Sequence, residues 1–117
     1  MDDLYTLRHY DKQTAVVFRT PTLMNPGDVE RIRAGILNLL EEEKPTHLVL
    51  DFGRVQFIAS SVIGILLTLH KRLSAAPPGG TKLVLCAVGP KLMELLKLSR
   101  LDRLLTIKPS RKEALGI

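Results

Sequence analysis

The chain has 117 residues, 45% of them hydrophobic, 25% charged and 4% aromatic, which is the composition of one soluble globular domain with an aliphatic core. Its charge of +5 is uneven: residues 1–51 carry six Lys/Arg and nine Asp/Glu, residues 52–117 carry eleven and three, and no acidic residue lies between Phe52 and Pro90. No apolar run approaches the ~20 residues of a membrane span, Met1-Asp2-Asp3-Leu4 lacks the basic and apolar regions of a secretory signal, and the single Cys86 excludes an internal disulfide or a multi-cysteine metal cluster and suits a reducing cytoplasm.

Leu4–Tyr10 and Ala15–Phe18 flank the polar Asp11-Lys12-Gln13-Thr14, which predicts a hairpin of two strands. Thr20–Met24 reads as irregular. Asn25-Pro26 then has the pattern of an N-cap followed by proline at the first helical position, where its missing N–H costs nothing. Asp28 and Glu30 suit the first turn of that helix, and Val29, Ile32, Ile36 and Leu39/Leu40 recur at helical spacing until Pro45 stops it. His47–Phe52 is a near-continuous apolar run, as expected of a strand buried on both faces. Val55–Ile58 leads into Ala59-Ser60-Ser61, and Val62–Leu73 is too long and too apolar for a strand. It reads as a well-buried helix with Ser60 as its N-cap. The Pro77-Pro78-Gly79-Gly80 loop resets the chain for a second buried strand, Lys82–Val88.

Gly89-Pro90 opens a third helix with Leu92, Leu95, Leu96 and Ser99 on one face. Leu101–Arg103 is expected to turn the chain into a short strand, Leu104–Ile107. Ser110 and Glu113 have capping-box spacing for a last helical turn. The order β-β-α-β-α-β-α-β-α predicts an α/β fold, a mixed sheet flanked by helices and parallel in its centre, in a single domain over residues 1–117.

Residues that could carry chemistry are few. His9, His47 and His70 fall in different elements with no Cys or carboxylate at metal-ligand spacing, so each reads as solvated or hydrogen-bonded. Cys86 sits mid-strand in an aliphatic run and reads as a small core residue. Gly79-Gly80-Thr81-Lys82 lacks the phosphate-loop pattern and precedes a strand. Asp51 ends a buried strand, where ligand sites of α/β sheets gather, but it stands alone. No enzymatic constellation emerges, and no cofactor or metal site. The basic second half lacks the aromatic platforms and motifs of nucleic-acid binding, and reads as a solvated surface or a docking face for an acidic protein.

Phe57-Ile58-Ala59-Ser60-Ser61-Val62-Ile63-Gly64 admits two readings. In one, Ser60 caps the helix and does no more. In the other, Ser60 (or its neighbour Ser61) accepts phosphate, because a helix start offers unpaired N–H donors and the positive end of the dipole. Nearly two negative charges would then enter a stretch with none, and a partner docked on an uncharged helix start would be expelled.

These residues resemble the STAS domain family, specifically the small single-domain anti-sigma factor antagonists of bacteria. The resemblance spans nearly the whole chain and is strongest in Leu48–Phe52, Phe57–Ser61, Lys82–Val88, Pro90–Leu98 and Leu101–Leu105. It implies a mixed sheet flanked by helices and no catalytic activity. It implies a switch protein that binds an anti-sigma factor, itself a serine kinase, when unphosphorylated. Phosphorylation releases that partner, and a metal-dependent serine/threonine phosphatase reverses the change. The family's phosphorylated serine, first after Asp in Asp-Ser-Ser/Thr-Gly, corresponds to Ser60, and the implied partner surface is Asp51, Ala59, Ser60, Ser61, Val62 and Ile63. Ala59 replaces the motif's Asp and Val62 its Gly. These departures motivate an alternative, a phosphorylation-independent STAS interaction module, scaffold or small-ligand sensor. An exposed sheet edge offers a route to a homodimer.

Overall fold

The computed structural model describes residues 4–76 and 80–117. The acidic start at residues 1–3 and most of the expected Pro-Pro-Gly-Gly loop, residues 77–79, lie outside the described residues. The hairpin forms with a tighter turn than four polar residues suggest. Strand β1 (Tyr5–Tyr10) runs antiparallel to β2 (Gln13–Phe18), with Tyr10 opposite Gln13. Only Asp11 and Lys12 turn the chain, and Asp11 takes φ 56°, a left-handed geometry that Asp tolerates better than most residues.

The segment expected to be irregular contains a two-residue strand, β3 (Thr22–Leu23). Helix α1 (Pro26–Glu43) starts as predicted: Asn25 Oδ1 accepts the Asp28 N–H at 3.1 Å, and Pro26 occupies the first turn. The helix ends with Lys44 at φ 46°, and Pro45 prevents its continuation. Strand β4 (His47–Asp51) follows, then the short β5 (Phe57–Ile58), which pairs in parallel with β3 outside the main sheet. Helix α2 (Ser60–Ser74) leads to β6 (Lys82–Cys86), and α3 (Pro90–Leu98) follows.

Arg100, at φ 62°, separates α3 from the single turn α4 (Leu101–Leu104). The last strand, β7, spans Thr106–Lys108 rather than Leu104–Ile107. Leu101 and Leu105 are both buried at helical spacing, and the Leu105 N–H returns to the Leu101 carbonyl at 2.9 Å, so the helical turn claims Leu104. Helix α5 (Arg111–Leu115) is capped by Ser110 Oγ, which accepts the Glu113 N–H at 3.2 Å.

The five-stranded sheet has the order β1-β2-β4-β6-β7, antiparallel at β1–β2 and parallel elsewhere. Alternation along the strands divides the core. Val16, Leu48, Leu50 and Leu85 face α1, α2 and α3 in a cluster of twenty-one buried residues. Ala15, Val49, Val84 and Cys86 face α5 in a cluster of six. The unequal clusters place most of the hydrophobic stabilisation, about 25 cal/mol per Å² of apolar surface removed from water, on the side of the three longer helices.

Candidate functional site

The start of α2 is positioned by the small ladder before it. The Ala59 N–H donates to the Leu23 carbonyl at 2.9 Å, and the Gln56 N–H donates to the Pro21 carbonyl at 2.8 Å. These bonds hold Ala59 extended, at φ −77° and ψ 158°, while its carbonyl already accepts the Val62 N–H at 2.9 Å. The N-cap is therefore Ala59. Ser60, expected to cap, is the first residue inside the helix, because the β3–β5 pairing fixes the bend one residue earlier.

An alanine cap leaves the helix start without a side-chain hydrogen bond, and the first turn holds no acidic residue. The unpaired N–H groups and the positive end of the dipole are thus open to an anion. Ser60 and Ser61 are exposed beside them. Ile63 is half-buried, and Val62 turns inward into the main core. The side chain that replaces the motif's Gly therefore adds no bulk to the outer surface.

Exposed apolar groups flank the serines. Phe57 is 49% exposed, with Lys91 Nζ 5.0 Å from its ring centroid, and Met24, next to the β3 ladder, is 53% exposed. Between α1 and α2 runs a groove of about 260 Å³, lined by Arg33 and Leu37 on one side and Ser61, Gly64, Ile65 and Thr68 on the other. Sequence reasoning missed Arg33 and Leu37; the available signal was an arginine off the apolar stripe of α1, facing the same way as a glycine in the next helix. Glu30 chelates the Arg33 guanidinium, with Nε donating to Oε2 at 2.9 Å, and this bonding raises the Arg33 pKa and lowers that of Glu30.

Asp51 does not join this group. It shares the parity of Val49, on the α5 side of the sheet. Its Oδ1 accepts the Gly53 N–H at 2.9 Å and its Oδ2 accepts Arg111 Nε at 2.9 Å. Arg111 Nη1 also donates to the Tyr10 hydroxyl at 3.1 Å, and this bond, more than that to Asp51, raises the Arg111 pKa. The carboxylate that looked solitary in the sequence is thus the anchor of the last helix.

The remaining candidates are placed as expected or in ordinary bonds. Cys86 is fully buried, and burial, with the Asp51 charge, pushes its pKa up to about 12, the reverse of what a nucleophile requires. His9 Nε2 meets Glu43 at 3.0 Å, where the Thr14 hydroxyl also donates at 2.9 Å. Among the described residues no three His, Cys, Asp or Glu gather to hold a metal ion, and no helix is long and apolar enough to cross a membrane.

The chain matches the STAS domain profile over residues 7–114. Its fold is similar to that of an anti-sigma-factor antagonist (STAS) domain protein from Planctomyces limnophilus, with TM-score 0.80 at 24% identity over 96% of this chain and 94% of that one. It is also similar to the anti-sigma factor antagonist SpoIIAA in its unphosphorylated form, with TM-score 0.77 at 23% identity over 97% of each chain. The phosphorylated form of the Bacillus cell fate determinant SpoIIAA gives TM-score 0.70 at 22% identity over 96% of each chain.

Proposed function

The chain belongs to the STAS domain family, and on that premise we propose that it is a cytoplasmic anti-sigma factor antagonist working by partner switching. In the unphosphorylated state it binds an anti-sigma factor that is also a serine kinase. Phosphorylation of Ser60 expels that partner, and a serine/threonine phosphatase restores binding. The observation that carries this reading is the start of α2, where an exposed Ser60 sits on a helix end with no side-chain cap and no acid in its first turn.

A phosphate added there meets free backbone donors, so it would be accommodated without unfolding the helix. It also places about two negative charges beside the apolar Phe57, Ala59 and Ile63 and the neutral Ser61. Val62 supports this surface from within by packing in the core, whereas Asp51 is held by Arg111 on the other face of the sheet. The test is incubation with the cognate kinase and ATP, followed by site-resolved mass spectrometry. Phosphate is expected on Ser60, with Ser61 the only other acceptor of the pair. Ser60→Asp is expected to weaken kinase binding and Ser60→Ala to retain it; equal binding by both overturns the mechanism.

A second reading, a constitutive interaction module, scaffold or small-ligand sensor, draws on Ala59 in place of the motif's Asp. It predicts a complex whose affinity is unchanged by phosphatase treatment.

A further inference from the structure

A second cavity, of about 490 Å³, lies at the far end of α2 from Ser60. Ser60 and His70 are ten residues apart on the same helix, about 15 Å along its axis. Strand β7 begins at Thr106, opposite Val84, so among the described residues Lys82 and Leu83 of β6 have no strand neighbour on that side. The cavity occupies this notch. His47 is paired with Lys82 across β4 and β6, Thr106 with Val84, and Lys108 with Cys86, which sets His47, Lys82, Thr106 and Lys108 on one face of the sheet. His70 closes the notch from α2.

Among the described residues its lining contains two lysines and two histidines and no Asp or Glu. The charge pattern of the sequence thus has a three-dimensional outcome: the acid-free stretch supplies Lys82 and His70, and the strands on either side supply His47 and Lys108. Ser74 and Thr106 also line the cavity, while the Thr81 hydroxyl is committed to the Pro45 carbonyl. The opposite wall is apolar, formed by Leu73, Leu83 and Leu105. Two lysines with no carboxylate among the described lining residues to neutralise them suit an oxyanion. A volume within the roughly 300–1,000 Å³ range of ligand sites leaves room for more than the anion alone.

We propose that this notch binds a phosphorylated small molecule, with the phosphate at Lys82, Lys108 and His47 on one face and the organic part on the leucine wall beside His70. The site is separate from the Ser60 surface and stands or falls without it.

The test uses the whole chain labelled with 15N and phenyl phosphate as the probe, at constant ionic strength. Saturable shifts are expected in residues 70–74, 81–84 and 106–108, with binding tighter than that of inorganic phosphate. The double variant Lys82→Gln/Lys108→Gln is expected to weaken binding by about tenfold or more, the scale of losing charged hydrogen bonds. Both lysines are exposed, so the core is untouched, and circular dichroism verifies the fold. Lys97→Gln, on α3 outside the cavity, removes the same kind of charge and is expected to change nothing. Equal weakening by Lys97→Gln, or shifts spread over the whole basic surface, overturns the proposal. So does binding no tighter than that of inorganic phosphate, or no saturation up to roughly 10 mM probe.

Discussion

Arg111 and Asp51 stand sixty residues apart in the chain and 2.9 Å apart in the structure, where one charge-assisted bond ties the last helix to the end of the central strand. The carboxylate is nearly buried, its side chain 9% exposed, whereas the Arg111 side chain remains 34% exposed. Removing the arginine therefore leaves a desolvated charge behind, a larger loss than that of the pair's Coulomb attraction. Arg111→Met is expected to lower stability by about 1–3 kcal/mol in urea denaturation. Tyr10→Phe, which removes only a hydroxyl acceptor from the same guanidinium, should cost less than about 1 kcal/mol. A smaller loss for Arg111→Met than for Tyr10→Phe would show that the ion pair does not hold α5.

The cap of α2 can be improved. Ala59 already has the extended dihedrals of an N-cap, φ −77° and ψ 158°, and lacks only an acceptor side chain. Ala59→Asp should raise stability by about 1 kcal/mol, read as a higher denaturation midpoint at unchanged slope. The same substitution restores the Asp that precedes the phosphorylated serine in the family motif, so phosphate transfer to Ser60 by the cognate kinase should be retained, read by site-resolved mass spectrometry.

Gly64 separates stability from recognition. It lies in the middle of α2, exposed, and a Cβ built there meets nothing within 4 Å. Gly64→Ala should stabilise the protein by about 0.5–1 kcal/mol, since the helix loses a flexible residue and gains no clash. Gly64 also lines the groove beside Ser61. Weaker binding of the proposed partner by this more stable variant would locate the contact on the exposed face of α2; unchanged binding would exclude the groove from it.

Cys86 gives a pH signature. Its folded pKa is raised to about 12, whereas an unfolded thiol ionises near 8.5. A raised folded pKa means stability that is complete below the unfolded value and lost as pH climbs towards the folded one. Over roughly pH 9 to 12 this thiol should therefore remove up to about 1.4 kcal/mol per pH unit. Cys86→Ala, though less stable at neutral pH because it leaves a cavity, should show a shallower alkaline decline. The native thiol should also resist a thiol-specific disulfide reagent at neutral pH and react fully in denaturant.

What the sequence revealed depended on the range of the forces involved. Helix α1 could be read from Asn25, Pro26 and a single apolar stripe because each of those signals is local. The parallel centre of the sheet followed from apolar runs at His47–Phe52 and Lys82–Val88 alternating with helical segments. The cap of α2 was misplaced by one residue because the Ala59–Leu23 bond crosses thirty-six positions, and a serine at a helix start resembles a cap wherever that bond places the bend. Strand β7 was misplaced because Leu104 and Leu105 are equally apolar, and only the packing of Leu101 with Leu105 decides which element takes them. The candidate serines were visible. The groove beside them, and the carboxylate bonded to Arg111, depended on contacts between distant segments that no local pattern encodes.

The unequal halves of the core have a kinetic consequence. Among the described residues, the five of α5 are the helical cover over the cluster that contains Cys86, so that helix is expected to lift while the three longer ones stay packed. Slow labelling of Cys86 in native buffer would then clock the undocking of α5 rather than global unfolding. Its rate would rise sharply in Arg111→Met, and the protein carries, in its one thiol, a built-in reporter of its least secure seam.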